Sequence, residues 1–225
     1  MSSAARKRTR KVMTFENPAC IQAEEYRTLR TNVQWAEIDP PLRTVLVTST
    51  EQGAGKSTTA VNLAAAFALM GKKTVIVDAD MRKPTQHLYF HKSNRIGLSN
   101  LLRGQTTVPQ SLQETHIEGL RLLPSGPPPS NPAELLNLPR MEEIVDQLKR
   151  EFEIVIFDTT PVLPVTDAQI IGAKVEGVLF VLRYGKTKRE AAKKALAQLE
   201  YMKANVIGVV LNQTKKRRGA YKYEA

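Results

Sequence analysis

The sequence predicts a three-layer α/β fold built on a mainly parallel sheet. Three observations point to it. Five short runs rich in Val and Ile show little polar alternation, as strands covered on both faces do. Helical patterns separate several of them, which is how parallel strands are connected. A glycine-rich stretch also stands at the junction of the first apolar run and the helix that follows it.

Taken in order, Gln22 to Trp35 is the first predicted helix, with Tyr26, Leu29, Val33 and Trp35 on its apolar side. The strands are Thr44 to Thr48 (TVLVT), Thr74 to Val77 (TVIV), Ile154 to Phe157 (IVIF), Val178 to Leu182 (VLFVL) and Val206 to Leu211 (VIGVVL). An Ala- and Leu-rich helix over Lys56 to Met70 ends at Gly71, and a second amphipathic helix covers Lys188 to Lys203. The stretch Leu123 to Pro132, LPSGPPPSNP, is a loop, because proline has no N–H to donate and its ring obstructs the preceding turn.

At 225 residues, with 42% hydrophobic and 24% charged residues, the chain suits one globular domain. No apolar run approaches the roughly 20 residues that span a bilayer. Thr14, Glu16, Asn17 and Pro18 follow the basic start where a signal peptide would be apolar, so the expected address is cytoplasmic. The single cysteine, Cys20, excludes an internal disulfide and a cysteine-rich metal site. The net charge of +11 is concentrated at the ends, in Arg6, Lys7, Arg8, Arg10 and Lys11 and in Lys215, Lys216, Arg217 and Arg218. Such clusters suit an anionic lipid surface or nucleic acid, or are simply solvated. Three parts follow: a basic flexible tail at 1–20, a domain at 21–214, and a basic tail at 215–225.

The chemistry gathers at Thr50-Glu51-Gln52-Gly53-Ala54-Gly55-Lys56-Ser57, between a strand and a helix. That context makes it a phosphate-binding P-loop: glycines turn backbone N–H groups toward phosphate, Lys56 reaches the outer phosphates and the Ser57 hydroxyl suits Mg²⁺. A P-loop also needs a carboxylate at the end of a neighbouring strand, where Asp158 stands. Asp78 and Asp80 follow the second strand, TVIV, and reach the same crevice, with Arg82 and Lys83 just beyond. His87 and His91 are the one histidine pair at helix-face spacing, and they read as structural beside His116.

These motifs resemble those of the bacterial tyrosine autokinases of capsule and exopolysaccharide operons, in their stand-alone cytoplasmic form from Gram-positive bacteria. The likeness is carried, in order, by EEYRTLRTN, GAGKSTTAVNLA, VIVDADMRKP, LPSGPPPSNPAELL and FDTTPVLPVTDA. The resemblance implies a P-loop NTPase fold and an ATP- and Mg²⁺-dependent kinase. Gly53, Ala54, Gly55, Lys56, Ser57 and Thr58 would bind nucleotide, and Ser57, Asp80 and Asp158 the metal. Lys56, Asp78 and Asp80 would be catalytic, with Asp78 the candidate base and the two aspartates interchangeable in role. Tyr221 and Tyr223 would accept phosphate in trans, although this tyrosine cluster is shorter than the family's. Glu24, Arg27 and Arg30, spaced by three, would join subunits into a ring; by spacing alone they are equally a solvated face.

Further implied partners are a transmembrane activator of the chain-length-regulator type, a tyrosine phosphatase and protein substrates, with no nucleic acid and with peripheral membrane association through the activator. Departures from the family's pattern are Gln52 and Thr160, each where proline is usual. The rival readings are a partitioning or cell-division ATPase switch and a non-catalytic scaffold. The first lacks its signature lysine, since Glu51 occupies that position.

Overall fold

The structure, a computed structural model, describes residues 10–36 and 41–214. The predicted acceptors Tyr221 and Tyr223, like the rest of 215–225 and residues 1–9, lie outside the described residues.

Helices α1 (Met13–Glu16) and α2 (Ile21–Gln34) precede strand β1 (Thr44–Ser49), which leads into α3 (Lys56–Ala68) and β2 (Thr74–Asp78). A long excursion follows: α4 (Gln86–Tyr89), α5 (Leu98–Leu102), α6 (Val108–Ser111), β3 (Gln113–Glu114), β4 (Leu120–Leu123), α7 (Pro132–Leu136) and α8 (Arg140–Glu151). The chain closes with β5 (Ile154–Asp158), α9 (Asp167–Gly172), β6 (Gly177–Arg183), α10 (Arg189–Tyr201) and β7 (Val206–Asn212).

The seven strands lie in the order β3-β4-β2-β5-β1-β6-β7, parallel throughout except for β3 against β4. Every residue of β1, β2 and β5 is buried, because helices cover both faces. One side packs α3 on Val45, Val47, Ile76 and Ile156. The other packs α8, α9 and α10 on Leu46, Val75, Phe157 and Phe180. The expected three-layer α/β architecture follows. Parallel register sets Asp78 beside Asp158 at the carboxyl ends of β2 and β5, where such sheets hold their ligands.

The five predicted strands and three predicted helices are present, with ends shifted by a few residues. Leu123 and Pro132, the outer residues of the predicted loop, close β4 and open α7. β3, β4 and α8 were not anticipated. Yet α8 has a plain helical stripe in Met141, Ile144, Val145 and Leu148, with acids in its first turn and Lys149 and Arg150 in its last, complementing the helix dipole.

The start of the domain needs correction. Val12 and Thr14, assigned from sequence to a flexible tail, are buried against α3. Thr14 N donates to Asn62 Oδ1 at 3.0 Å, and its hydroxyl donates to the same oxygen at 3.0 Å. Burying one valine contributes about 1.5–3 kcal/mol, enough to fix a short segment when polar groups are also paired. Trp35 is also misassigned: it follows the last residue of α2 and is 75% exposed, whereas Ala23 and Val33 make the helix's buried contacts. No helix among the described residues is long and apolar enough to cross a membrane.

Candidate active site

Between β1 and α3 the chain wraps through Gly53 (φ +82°) and Gly55 (φ +100°), left-handed conformations that favour glycine. A Cβ at Gly55 would lie 1.9 Å from Asn212 Nδ2. That amide donates to Ala54 O at 2.9 Å, and Gln213 Nε2 donates to Gly53 O at 3.1 Å. The end of β7 therefore clamps the loop from behind. No side chain caps α3, whose N-terminus opens toward the cleft with the positive end of its dipole.

The Lys56 ammonium donates to Asp80 Oδ2 at 2.7 Å, Ser57 Oγ at 3.1 Å and Asp158 Oδ1 at 3.4 Å. Burial pulls its pKa down, but Asp158 and Asp80 outweigh that and hold it above the ordinary lysine value. It stays protonated. Asp158 is raised by burial, with Lys56 pulling it back. Asp78 is pushed up to about 8, first by burial and then by the Asp158 charge.

The two aspartates that sequence left interchangeable in role sit in different surroundings. Asp80 lines the cleft, with Oδ1 accepting from Lys83 N at 2.9 Å. Asp78 is fully buried behind it, and its Oδ2 accepts from the backbone N–H groups of Thr85 and Gln86, each at 2.8 Å. Sequence reading missed Gln86, whose side-chain amide donates to Asp158 Oδ2 at 2.8 Å and to Ser57 O at 3.1 Å. Two buried acceptors, Asp78 Oδ1 and Gln86 Oε1, have no hydrogen-bond partner among the described residues.

The cleft, about 630 Å³, is large enough for a nucleotide. Arg82 and Lys83 line it as predicted, and Arg82 is held by Asp167 through a bidentate pair, Nε–Oδ2 at 2.8 Å and Nη2–Oδ1 at 3.0 Å. Arg10, taken from sequence for part of a free tail, also lines the cleft, with its guanidinium 5.6 Å from the centre of the Tyr89 ring. Tyr89 in turn shares a 2.8 Å hydrogen bond with the Thr58 hydroxyl. The cleft thus has a cationic rim around an acidic floor.

Ser57, Asp80 and Asp158 offer only hard oxygen donors, the chemistry that Mg²⁺ takes together with phosphate and water rather than in an all-protein cage. No group of three or more His, Cys, Asp and Glu arranged to hold a metal occurs among the described residues. His116 packs against Phe15 and Phe90, at 5.2 and 5.7 Å between ring centroids.

Glu24 and Arg27 pair on α2 at 2.6 Å, and Arg27 Nη2 also donates to Pro18 O at 2.6 Å. Arg30 follows one turn on, donating to Thr31 Oγ1 at 3.4 Å.

A family model described as an AAA domain matches residues 42–205. The tyrosine-protein kinase YwqD of Bacillus subtilis (strain 168) is 42% identical over 206 residues, which cover 92% of this chain and 87% of that protein. The putative tyrosine-protein kinase CapB of Staphylococcus aureus is 36% identical over 198 residues, 88% of this chain and 87% of its own. Among solved structures, that of the chimerical protein CapA2B2 superposes with a TM-score of 0.87 at 40% identity, covering 91% of this chain and 90% of its own.

Proposed function

The chain belongs to the bacterial tyrosine-protein kinase family, and from that premise we propose that it transfers the γ-phosphoryl group of Mg²⁺-ATP to tyrosine hydroxyls. Its acceptors include Tyr221 and Tyr223 of a neighbouring subunit, and its role is to regulate capsular or exopolysaccharide synthesis and export. The observation that carries this reading is the Lys56 ammonium, at the mouth of the P-loop, bridging Asp80 and Asp158.

In the transfer, the bond from the γ-phosphorus to its bridging oxygen breaks, ADP leaves, and the phenolic oxygen forms the new bond. Ser57, Asp80 and Asp158 would hold a magnesium ion, which would supply charge neutralisation on the phosphates. The loop Gly53 to Gly55 and the N-terminus of α3 cradle the phosphates, and Lys56 turns from the carboxylates to the outer phosphate oxygens. Arg82, fixed by Asp167, adds positive charge at the rim. Asp80, which lines the cleft, orients the hydroxyl, while Asp78 acts behind it by fixing the backbone of Thr85 and Gln86. In a loose phosphoryl transfer, orientation matters more than early proton removal.

A transmembrane activator switches the kinase on and recruits it to the membrane, Glu24, Arg27 and Arg30 join subunits into a ring, and a phosphatase resets the tail. The test is incubation of the purified chain with Mg²⁺ and γ-labelled ATP, with and without the cytoplasmic tail of a candidate activator, followed by phosphotyrosine mapping. Label at Tyr221 or Tyr223 that vanishes in Lys56→Met is the expected result. Release of inorganic phosphate with no labelled protein, even with the activator, would favour an ATPase switch instead.

A further inference from the structure

Gln86 ties together three segments of the cleft floor. Its backbone N–H goes to Asp78 Oδ2 at the end of β2, and its side-chain amide goes to Asp158 Oδ2 at the end of β5 and to Ser57 O at the start of α3. The amide orientation is dictated by chemistry: both side-chain partners are acceptors, so only the NH₂ group can face them. The carbonyl Oε1 is thereby left without a donor among the described residues, in a side chain with no exposed surface. Buried acceptors are normally paired, so an orphan beside a ligand site calls for a donor that arrives with the ligand.

Resting on the magnesium site read above, we propose that Gln86 is its positioning residue. The amide fixes the Asp158 carboxylate and the backbone of Ser57 relative to each other, and Oε1 accepts a hydrogen bond from a metal-bound water. Groups that orient metal ligands from behind change metal affinity about 10- to 100-fold when removed. Gln86 does not touch the phosphates in this scheme, so its loss is felt through the metal.

The test is equilibrium binding of a fluorescent ATP analogue to the full chain, titrated with Mg²⁺ and repeated in EDTA. For Gln86→Met, which keeps the length and loses both polar ends, the half-saturating Mg²⁺ concentration should rise at least tenfold, while affinity in EDTA stays within about twofold of wild type. Gln86→Glu, which sets an acceptor against Asp158, should do the same or worse. It serves as the second variant should the methionine protein fail to fold, as judged by circular dichroism. In turnover, the apparent KM for Mg²⁺ should move further than that for ATP. Unchanged Mg²⁺ dependence, or equal loss in Mg²⁺ and in EDTA, would overturn the assignment of Gln86 alone. A wild-type chain that binds nucleotide indifferently to Mg²⁺ would overturn the magnesium site itself. Intact Mg²⁺-dependent binding without tyrosine labelling would cost the kinase reading and leave Gln86 in place.

Discussion

The cleft floor and the outer surface of α2 are both spelled out by short charged motifs, yet their residues live in opposite surroundings. On the floor, Lys56, Asp80 and Asp158 are buried and interlocked. Removing one member of such a set leaves a charge stranded, at a cost of roughly 3–5 kcal/mol. On α2, the Glu24 and Arg27 side chains remain 67% and 34% exposed, and a pair of that kind contributes only about 0–1 kcal/mol. The difference teaches where each motif acts. The floor interlocks within one chain, whereas the α2 charges contribute little to the isolated subunit, which fits the proposal that they act against a second one.

The sharpest way to break this contrast lies within the floor. Asp80→Asn should lower tyrosine labelling at least about 100-fold, while Asp78→Asn, behind the cleft, should lower it about tenfold or less, both compared at saturating ATP with folding verified by circular dichroism. Equal losses would erase the distinction drawn between the two carboxylates. On α2, Arg27→Ala should shift urea unfolding by less than about 1 kcal/mol yet convert assembled rings to smaller species in sedimentation velocity. A large stability loss with unchanged assembly would reverse the comparison.

The smallest expected effect lies at His87, beside the floor but outside its ion network. Burial first, and then the Arg10 charge, hold its pKa below the ordinary 6.5. The folded ring therefore binds its proton less readily than the unfolded one. Its stabilising contribution is present above about pH 6.5 and is lost as the pH falls from there toward its lowered value. The melting temperature of His87→Gln should fall less between pH 7 and pH 5 than that of wild type.

Most of the fold was legible because its central strands are buried on both faces and so carry unbroken apolar runs, and because Gly55 and Gly71 mark where α3 begins and ends. The excursion from α4 to α8 was not, since its helices are mostly single turns and β3 is two residues long, too short for a period to register. α8 is the exception, with a stripe that could have been read. On the floor, Lys56, Ser57, Asp78, Asp80 and Asp158 announce themselves by position relative to strands. Gln86 does not, because its role depends on which carboxylate it meets across the sheet, 72 residues away. Asn212 offered a signal, as the polar residue that ends the last apolar run. Arg10 was hidden by its basic neighbours, and the burial of Val12 and Thr14 reveals that the chain is anchored there.

The clamp between Asn212 and the P-loop also sets a leash. Tyr221 and Tyr223 lie nine and eleven residues beyond that fixed point, so a fully extended backbone carries them no farther than roughly 30–40 Å from it. In an assembled ring, each acceptor would search only a small sphere around a neighbour's cleft, which raises its effective concentration well above that of a free peptide. Tail modification would then be governed by how far apart adjacent clefts are held, and lengthening or shortening the leash would tune the rate without altering any catalytic group.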